Sequence, residues 1–454
     1  MFYVDRNKKL STDDIVKYID AFKGHMLPRL QKLKRYYDCH NDRILARSFK
    51  DATKPNNKIA TPWSKYITDL TTAYFIGKGV SYNSIDSTLL QALNMLSDYN
   101  DESAKNQQLA INASIYGIAY ELIYLYGKEA KIRYSVLDTE TVIPIYSDDI
   151  EEDLIYAIRF YDVTDITTNI TTTKVVLYSE THIKNYEITN SVIKHIGGPE
   201  PHYLKEVPIN VYKNNPDCVG DAENLIALID GYDFSLSDTA NSRQELMNSY
   251  LVFKNCGLED ADVISMKQKR VITIEDVDQG MKSSVTFLNR DTNDVELENY
   301  TTRLEKNIKM FSGIGDLESK SHQTATSAEM SMMGLTQNVA IKENYFRYAL
   351  LRRIEIICNA LDIKGLTFDF STVKITFTRN LPVDTGVVAD VISKLRGVVS
   401  TETLIQQLPF VTDVSTEMQR LEKENEVNSY ADMLQGGDDD GEQQVLVGEG
   451  AAQG

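Results

Sequence analysis

The chain has 454 residues, which is enough for two or three compact units with a sizeable core. Its apolar fraction of 42% and charged fraction of 25% are typical of a globular, cytosolic protein, and no apolar run approaches the ~18 residues of a membrane span. The 48 basic and 66 acidic side chains give a net charge of −18, which excludes an ordinary DNA-binding module, because such a module needs clustered Lys and Arg.

The N-terminal region is predicted to be a series of helices. Ser11 and Asp14 have the spacing of a capping box, and apolar side chains then recur every three to four residues as far as Tyr37. Pro28 lies inside this pattern, so we expect it to kink or split the helix. Three further helices are predicted before residue 117: one through Tyr66, Leu70 and Tyr74, one near 87–98, and one near 101–116.

After Gly117 the apolar period changes to two, and segments rich in Tyr, Ile, Val and Thr continue to about residue 196. This pattern predicts an antiparallel sheet on a helical base. Turn residues then precede a helix that carries four apolar side chains on one face, namely Leu225, Ile229, Tyr232 and Leu236. Residues 250–293 are strand-like again and a second helix is predicted near 294–312. Two helices that bracket a small sheet indicate a stalk with a tip.

The C-terminal part begins with a polar loop at 313–325 and continues with the longest predicted helix, 326–361, which would span about 54 Å. A strand at 373–379 and short helices near 384–396, 401–408 and 415–431 follow. From Gly436 onward the sequence holds five acids and no Lys or Arg, so we expect a disordered acidic tail. The whole pattern predicts an α+β fold.

Candidate catalytic motifs are weak. Gly77-Lys78-Gly79 and Gly313-Ile314-Gly315 are too short for a phosphate-binding loop and are interpreted as turns. The cysteines and histidines lack metal-ligand spacing, so we expect reduced thiols and no metal. Five carboxylates stand nearly in a row, which favours a solvated hairpin over a Mg²⁺ site; they are Asp148, Asp149, Glu151, Glu152 and Asp153. We predict no cofactor, no catalytic residues and no enzyme activity.

Several short blocks of sequence occur in one order. The early ones are Tyr36-Tyr37 with Ile44, Pro55-Asn56-Asn57-Lys58-Ile59, Tyr66-Ile67 with Asp69, Tyr74-Phe75 with Gly77-Lys78, and Ile115-Tyr116-Gly117. The later ones are Val207-Pro208-Ile209, Asn214-Asn215 with Gly220-Asp221, Leu228-Ile229-Asp230, and Phe377 with Arg379-Asn380-Leu381-Pro382. With these blocks, roughly residues 10–430 resemble the portal proteins of long-tailed double-stranded DNA bacteriophages.

The resemblance implies a division of the chain into named regions. These are a wing at 1–220 and 326–381, stem helices at 221–249 and 294–312, a clip at 250–293, a tunnel loop at 313–325, a crown at 382–433 and the tail at 434–454. The four apolar side chains of the first stem helix would then help to fill the contact between neighbouring subunits of a ring.

The resemblance also implies a function. About twelve copies, or thirteen in isolation, would form a ring at one vertex of the virion capsid after assembly in the host cytoplasm. Double-stranded DNA would pass through the ring during packaging and ejection. The implied partners are the terminase large subunit, the major capsid and scaffolding proteins, and a head-completion adaptor, with no membrane. The loop residues Asp316, Glu318, Lys320 and His322 would face the DNA.

Two other interpretations stay open from the sequence alone. One is a different ring component, such as a head–tail adaptor or a scaffold-like protein, although adaptors are usually much shorter. The other is a Mg²⁺-dependent nuclease that uses the carboxylates at 148–153.

Overall fold

The computed structural model describes residues 2–51, 54–189, 192–247, 251–254, 284–287, 294–315, 332–379, 390, 392–406, 408, 411, 414 and 417–425. The N-terminal helices are α1 (Thr12–Ala21), α2 (Leu27–Tyr37) and α3 (Asp42–Leu45). The predicted capping box at Ser11 and Asp14 is confirmed, since each side chain accepts the other residue's backbone N–H. Near the predicted kink or split at Pro28, a π-helical turn, Phe22–Met26, joins α1 to α2, so the α-helix is interrupted but the chain stays helical, with Pro28 in the first turn of α2.

The other three predicted helices of this half are present. They are α4 (Trp63–Ile76), α5 (Ser87–Asn100) and α6 (Glu102–Tyr116). Asp86 begins α5 by accepting the backbone N–H groups of Thr88 and Leu89, which would otherwise have no partner at a helix N-terminus.

The strand region forms two sheets rather than the single antiparallel sheet expected for residues 118–196. The strands are β1 (Phe2–Val4), β3 (Ile118–Tyr126), β4 (Lys131–Leu137), β5 (Val142–Ser147), β6 (Leu154–Thr164), β7 (Thr171–Tyr178), β8 (His182–Thr189), β9 (Val192–Pro201) and β10 (Ile209–Lys213). A three-stranded sheet has the order β10-β3-β4, and a six-stranded sheet has the order β1-β5-β6-β7-β8-β9, in which β1 runs parallel to β5. A 3₁₀ turn, Thr139–Thr141, separates β4 from β5 and redirects the chain between the two sheets.

The predicted stalk corresponds to two helices, α7 (Ile226–Met247) and α8 (Asp294–Ser312). A 3₁₀ turn, Glu223–Leu225, leads into α7. The described part of the insertion between these helices is one antiparallel pair, β11 (Leu251–Lys254) with β12 (Ser284–Phe287). The rest of the insertion predicted at 250–293 lies outside the described residues.

The longest helix, α9, runs from Met333 to Asp362. The start predicted at residue 326 lies outside the described residues, as does the acidic tail. The predicted strand near 373–379 is β13 (Lys374–Phe377), which pairs with β2 (Val80–Asn83) and so ties the C-terminal part to the N-terminal half. Short helical segments follow at Thr401–Gln406, named α10, and at 417–425. Helices and sheets mix throughout, in agreement with an α+β fold.

Two large hydrophobic clusters hold the fold together. The first joins α4, α5, α6, α9 and the sheet β10-β3-β4, with Leu89, Ile123 and Leu350 fully buried. The second joins α1, α2, the six-stranded sheet and the start of the helix pair, with Ile15, Ile145 and Ile308 at its centre. One end of the α7–α8 helix pair is therefore packed in the second cluster. Its position is fixed when the N-terminal half folds.

Candidate functional site

The helix pair α7–α8 is the most distinctive feature of the molecule, and we treat it with its anchoring segments as the candidate functional site. At 1.5 Å per residue its helices of 22 and 19 residues are about 33 and 28 Å long. Ile229 on α7 and Ile308 on α8 are both fully buried in the second cluster. Farther out, the hydroxyls of Ser235 and Thr301 join the two helices at 2.6 Å.

The buried face of α7 is mostly polar. Besides Ile226 and Ile229, the buried positions on this face are Asp230, Asp233, Ser237 and Asn241, which recur every three to four residues. Buried polar groups need hydrogen-bond partners, since an unpaired one costs about 1–3 kcal/mol. The partners come from residues 36–61, far away in the sequence.

The segment 57–61, here called the strap, lies along this polar face. The backbone N–H of Asn57 donates to Asn241 Oδ1 at 2.8 Å, that of Ile59 to Ser237 Oγ at 2.9 Å, and that of Thr61 to Asp233 Oδ1 at 3.0 Å. Each step of two residues along the strap matches a step of four residues back along α7. The two segments are therefore antiparallel.

The match has a simple geometric cause. Two residues of extended chain advance about 6.6 Å, and four residues of α-helix advance about 6.0 Å, so the two repeats stay in step over this length. Alternate N–H groups of the strap point toward the helix, where a short polar side chain accepts each one. The strap is consequently held without becoming a strand, and three of its backbone N–H groups have partners on α7.

Two buried carboxylates lie at the base of this face. Asp230 accepts the hydroxyl of Tyr36 at 2.7 Å, and Asp233 accepts the Thr61 hydroxyl at 2.5 Å and the Asn41 amide. Burial raises the pKa of both carboxyls, and these hydrogen bonds act in the opposite direction. The hydrogen-bond donors around these two carboxyl groups thus offset part of the cost of removing them from water.

A second anchor links α9 to the turn before α7. The buried ammonium of Lys342 donates to Ser114 Oγ at 2.9 Å and to the carboxylate of Asp221, while Asp221 N–H donates to the Ser114 carbonyl at 2.8 Å. Burial lowers the pKa of Lys342, so its charge depends on Asp221. Three elements therefore meet at one point: the end of α6, the helix α9 and the turn before α7.

A close contact joins the end of α8 to the start of α9. A Cβ atom placed on Gly313, whose φ is +76°, would lie 2.5 Å from Asn338 Nδ2 and 3.3 Å from the backbone of Gly334. Only glycine fits there. Ile314 is buried in the second cluster, and Asn338 Nδ2 donates to the Ser312 carbonyl at 3.3 Å. The chain on either side of residues 316–331 is therefore fixed at one place, here called the neck.

The residues predicted for the site fall into two groups. Leu225 and Ile229 are buried in the second cluster, Tyr232 is half-buried with its ring edge-to-face against Trp63 at 5.7 Å, and Leu236 is partly exposed. The predicted loop residues Asp316, Glu318, Lys320 and His322 lie outside the described residues. The polar face of α7 was not predicted, although the three-to-four spacing of its polar side chains is visible in the sequence.

The acidic run at 148–153 is tied to the N-terminus. Arg6 donates to Asp149 at 2.8 Å and to Asp153 at 2.6 Å, which holds two of the five carboxylates in ion pairs. In the described ranges, no group of three or more His, Cys, Asp or Glu side chains is placed to hold a metal ion. Likewise, none of the helices that the structure describes is long and apolar enough to cross a membrane.

The sequence matches a family described as phage portal protein, SPP1 Gp6-like, over residues 16–429. Two similar proteins are each named portal protein. The one from Bacillus phage SPP1 is 28% identical over an alignment of 473 positions, which covers 96% of this chain and 92% of that protein. The one from Clostridium phage phiCD119 is 27% identical over an alignment of 341 positions, which covers 69% of this chain and 73% of that protein. The matched range includes the strap, the helix pair and α9.

Proposed function

Because the chain belongs to the SPP1 Gp6-like family of phage portal proteins, we propose that its copies assemble into a ring at one capsid vertex and that DNA enters and leaves through this ring. A portal protein is a structural component of the virion rather than an enzyme. The alignment covers 92% of the length of the SPP1 portal protein. This length supports a portal protein over a head–tail adaptor, since adaptors are usually much shorter.

The observation that carries this proposal is the anchored helix pair. A channel wall must keep its shape while a long polymer passes through it. The helices that form such a wall must therefore not tilt at their base. In this chain α7 is fixed by the strap, by Tyr36 and by the contact through Lys342, and α8 is fixed at the neck. Copies of such a pair arranged around an axis would surround a channel.

The charge of the chain is compatible with DNA that slides. Each Lys or Arg placed against a phosphate adds to a grip that only salt or force can break. The net charge of −18 means that the chain as a whole repels DNA, so a channel built from it would hold the polyanion away from its wall.

We also propose that the loop between the two sides of the neck contacts the DNA through Lys320 and His322, with Asp316 and Glu318 limiting the grip. The contact between Gly313 and Gly334 supports this, since it fixes both ends of the loop at one place. The test compares DNA filling in assembled particles that carry Lys320→Glu, a deletion of 316–322, or the control Lys17→Glu on α1. Normal filling with both loop variants would overturn the loop assignment.

The proposed partners are those of a head–tail connector: the terminase large subunit, which would supply the ATP-driven work, the major capsid and scaffolding proteins, and a head-completion adaptor. The regions proposed to meet them are the clip at 250–293 and the crown at 382–433. Pull-down of the terminase large subunit by the full chain, compared with a chain that lacks 255–283, tests the clip assignment. Equal recovery by both chains would contradict it.

The first experiment is negative-stain electron microscopy of the purified chain, with its mass measured in solution. We expect ring-shaped particles with a central hole and about twelve or thirteen subunits. A chain that stays monomeric at every concentration contradicts assembly into a ring.

A further inference from the structure

The outer face of α9 carries no charge over about four turns. Between Met333 and Tyr348 the outward positions are Met333, Gln337, Ile341, Asn344 and Tyr348, which recur every three to four residues. The charged side chains in this stretch lie elsewhere: Lys342 is buried, and Glu343 and Arg347 pair with each other at 2.5 Å. Tyr348 is 71% exposed. This α9 face is about 22 Å long.

A second uncharged face lies on α5. Its outward positions are Thr88, Gln91 and Met95, and Ile85 stands just before the helix. No charged residue occurs between Ser87 and Ser97. Ile85 is 96% exposed and Met95 is 67% exposed, so the uncharged face includes two large aliphatic side chains in contact with solvent. This α5 face is about 16 Å long, somewhat shorter than the α9 face.

Two other helices have exposed faces that are charged. The outer side of α1 carries Lys17 and Asp20, and the outer side of α8 carries Glu298, Arg303 and Lys306. In protein interfaces the buried centre is depleted of charged residues and enriched in Met and Tyr. The α5 and α9 faces have this composition in a chain in which 25% of residues are charged.

The two faces lie at opposite edges of one sheet. In the order β10-β3-β4, α9 packs beside β10, where Asn210 Nδ2 donates to the Ala349 carbonyl at 2.8 Å. At the other edge α5 packs beside β4, where Asn100 Nδ2 donates to the Ile132 carbonyl at 3.2 Å. A head-to-tail contact between identical copies requires two different faces on each copy, and the α5 and α9 faces are two such faces.

We infer that the α9 face of one copy packs against the α5 face of the next copy, so that the two faces form the centre of the contact between neighbouring subunits. The inference rests on the proposed ring. The occupant is a second copy because the chain itself supplies two different uncharged faces, one at each edge of the same sheet. Neither face offers a charge that an acidic or basic partner could neutralise.

The first test introduces a charge on each face. Met95→Glu and Ile341→Glu should each raise the concentration needed for half-assembly of rings by about tenfold or more, because a carboxylate would be buried without a partner. The matched control is Ile166→Glu at the tip of the β6–β7 hairpin, where Ile166 is 90% exposed but belongs to neither face. This variant should assemble like the wild type. The double variant Met95→Glu, Ile341→Lys should recover part of the assembly.

The second test uses a short bismaleimide cross-linker on Met95→Cys and Ile341→Cys, with the wild type as background for its native thiols. A chain with both changes should give a series of covalent multimers. An equal mixture of the two single variants should give extra dimers but no longer series, since each copy then offers only one reactive face.

The outcomes separate the two proposals. Rings that form normally with both Met95→Glu and Ile341→Glu, or cross-linking no stronger than the wild-type background, overturn the assignment of these faces and leave the ring intact. A wild-type chain that never assembles overturns the ring, and the α5–α9 contact falls with it. A thermal melt of each monomeric variant that matches the wild type shows that the loss is one of assembly and not of folding.

Discussion

Arg353 on α9 and Glu121 on β3 form a buried, two-point ion pair, in which Nε donates to Oε2 and Nη2 to Oε1, each at 2.8 Å. The same guanidinium donates to Glu102 at 2.9 Å and to Asn106 at 2.7 Å. All of these side chains are buried in the first hydrophobic cluster, where a charge left without its partner is costly. The network fixes α9, and therefore its outer face, against α6 and the sheet.

We predict that Arg353→Met lowers the free energy of unfolding by about 3–5 kcal/mol, because it leaves two buried carboxylates without their cation. Denaturant unfolding followed by circular dichroism measures the loss. The control is Arg35→Met, which removes the exposed pair with Asp42 and should cost less than about 1 kcal/mol. Similar losses in both variants would contradict a special role for the buried network.

The strap gives a second prediction. Ser237→Ala removes the acceptor of the Ile59 N–H, so it should cost about 1–3 kcal/mol and speed hydrogen exchange at Ile59. Ser242→Ala is the same change on the same helix, at a position outside the buried polar face, and should alter neither quantity. Unchanged exchange at Ile59 in Ser237→Ala would show that the strap is held by other contacts.

A third prediction concerns pH. Burial raises the pKa of Asp233, so its contribution to stability is full below the ordinary carboxyl pKa of about 4 and is lost as pH rises through the raised value. The stability of the wild type relative to Asp233→Asn should therefore fall as pH rises above about 4. Denaturant unfolding of both proteins across this range gives the difference.

Asp149 provides the control of opposite sign for this pH prediction. Its hydrogen bond from Arg6 lowers its pKa, so the stability it contributes is present above a pH of about 4 and is lost as pH falls below it. Wild type and Asp149→Asn should thus converge in acid. A difference between wild type and Asp233→Asn that follows the same trend would refute the assigned shift at Asp233.

The turn before α7 gives a fourth prediction. A Cβ atom on Gly220 would lie 2.3 Å from the carbonyl oxygen of Ile115, so Gly220→Ala must push the turn away from the end of α6. We expect a loss of about 2 kcal/mol or more in the free energy of unfolding. Gly198→Ala in β9, where nothing lies within 4 Å of the added atom, is the matched control and should change stability little. Equal effects would show that the turn can move freely.

Much of the secondary structure was predictable because its causes are local. The Ser11 capping box, the break near Pro28 and the bounds of α8 at Asp294–Ser312 each depend on residues within a few positions of one another. The family was predictable as well, since many short blocks occur in one order. The pairing of strands was less so: β1 joins β5 as a parallel neighbour across about 140 residues, and no local pattern encodes that choice.

Most helices, most strands, the α+β class and the portal family were thus predictable from local sequence patterns. The burial of polar residues was not, because it depends on tertiary contacts. Asp233 and Ser237 have the composition of a solvated helix face, yet they contact a strap about 175 residues away in the sequence. Arg353 and Glu121 are likewise separated by 232 residues. The period of a sequence shows which side chains share a face, but the partner of that face is fixed by long-range packing, which the period does not contain.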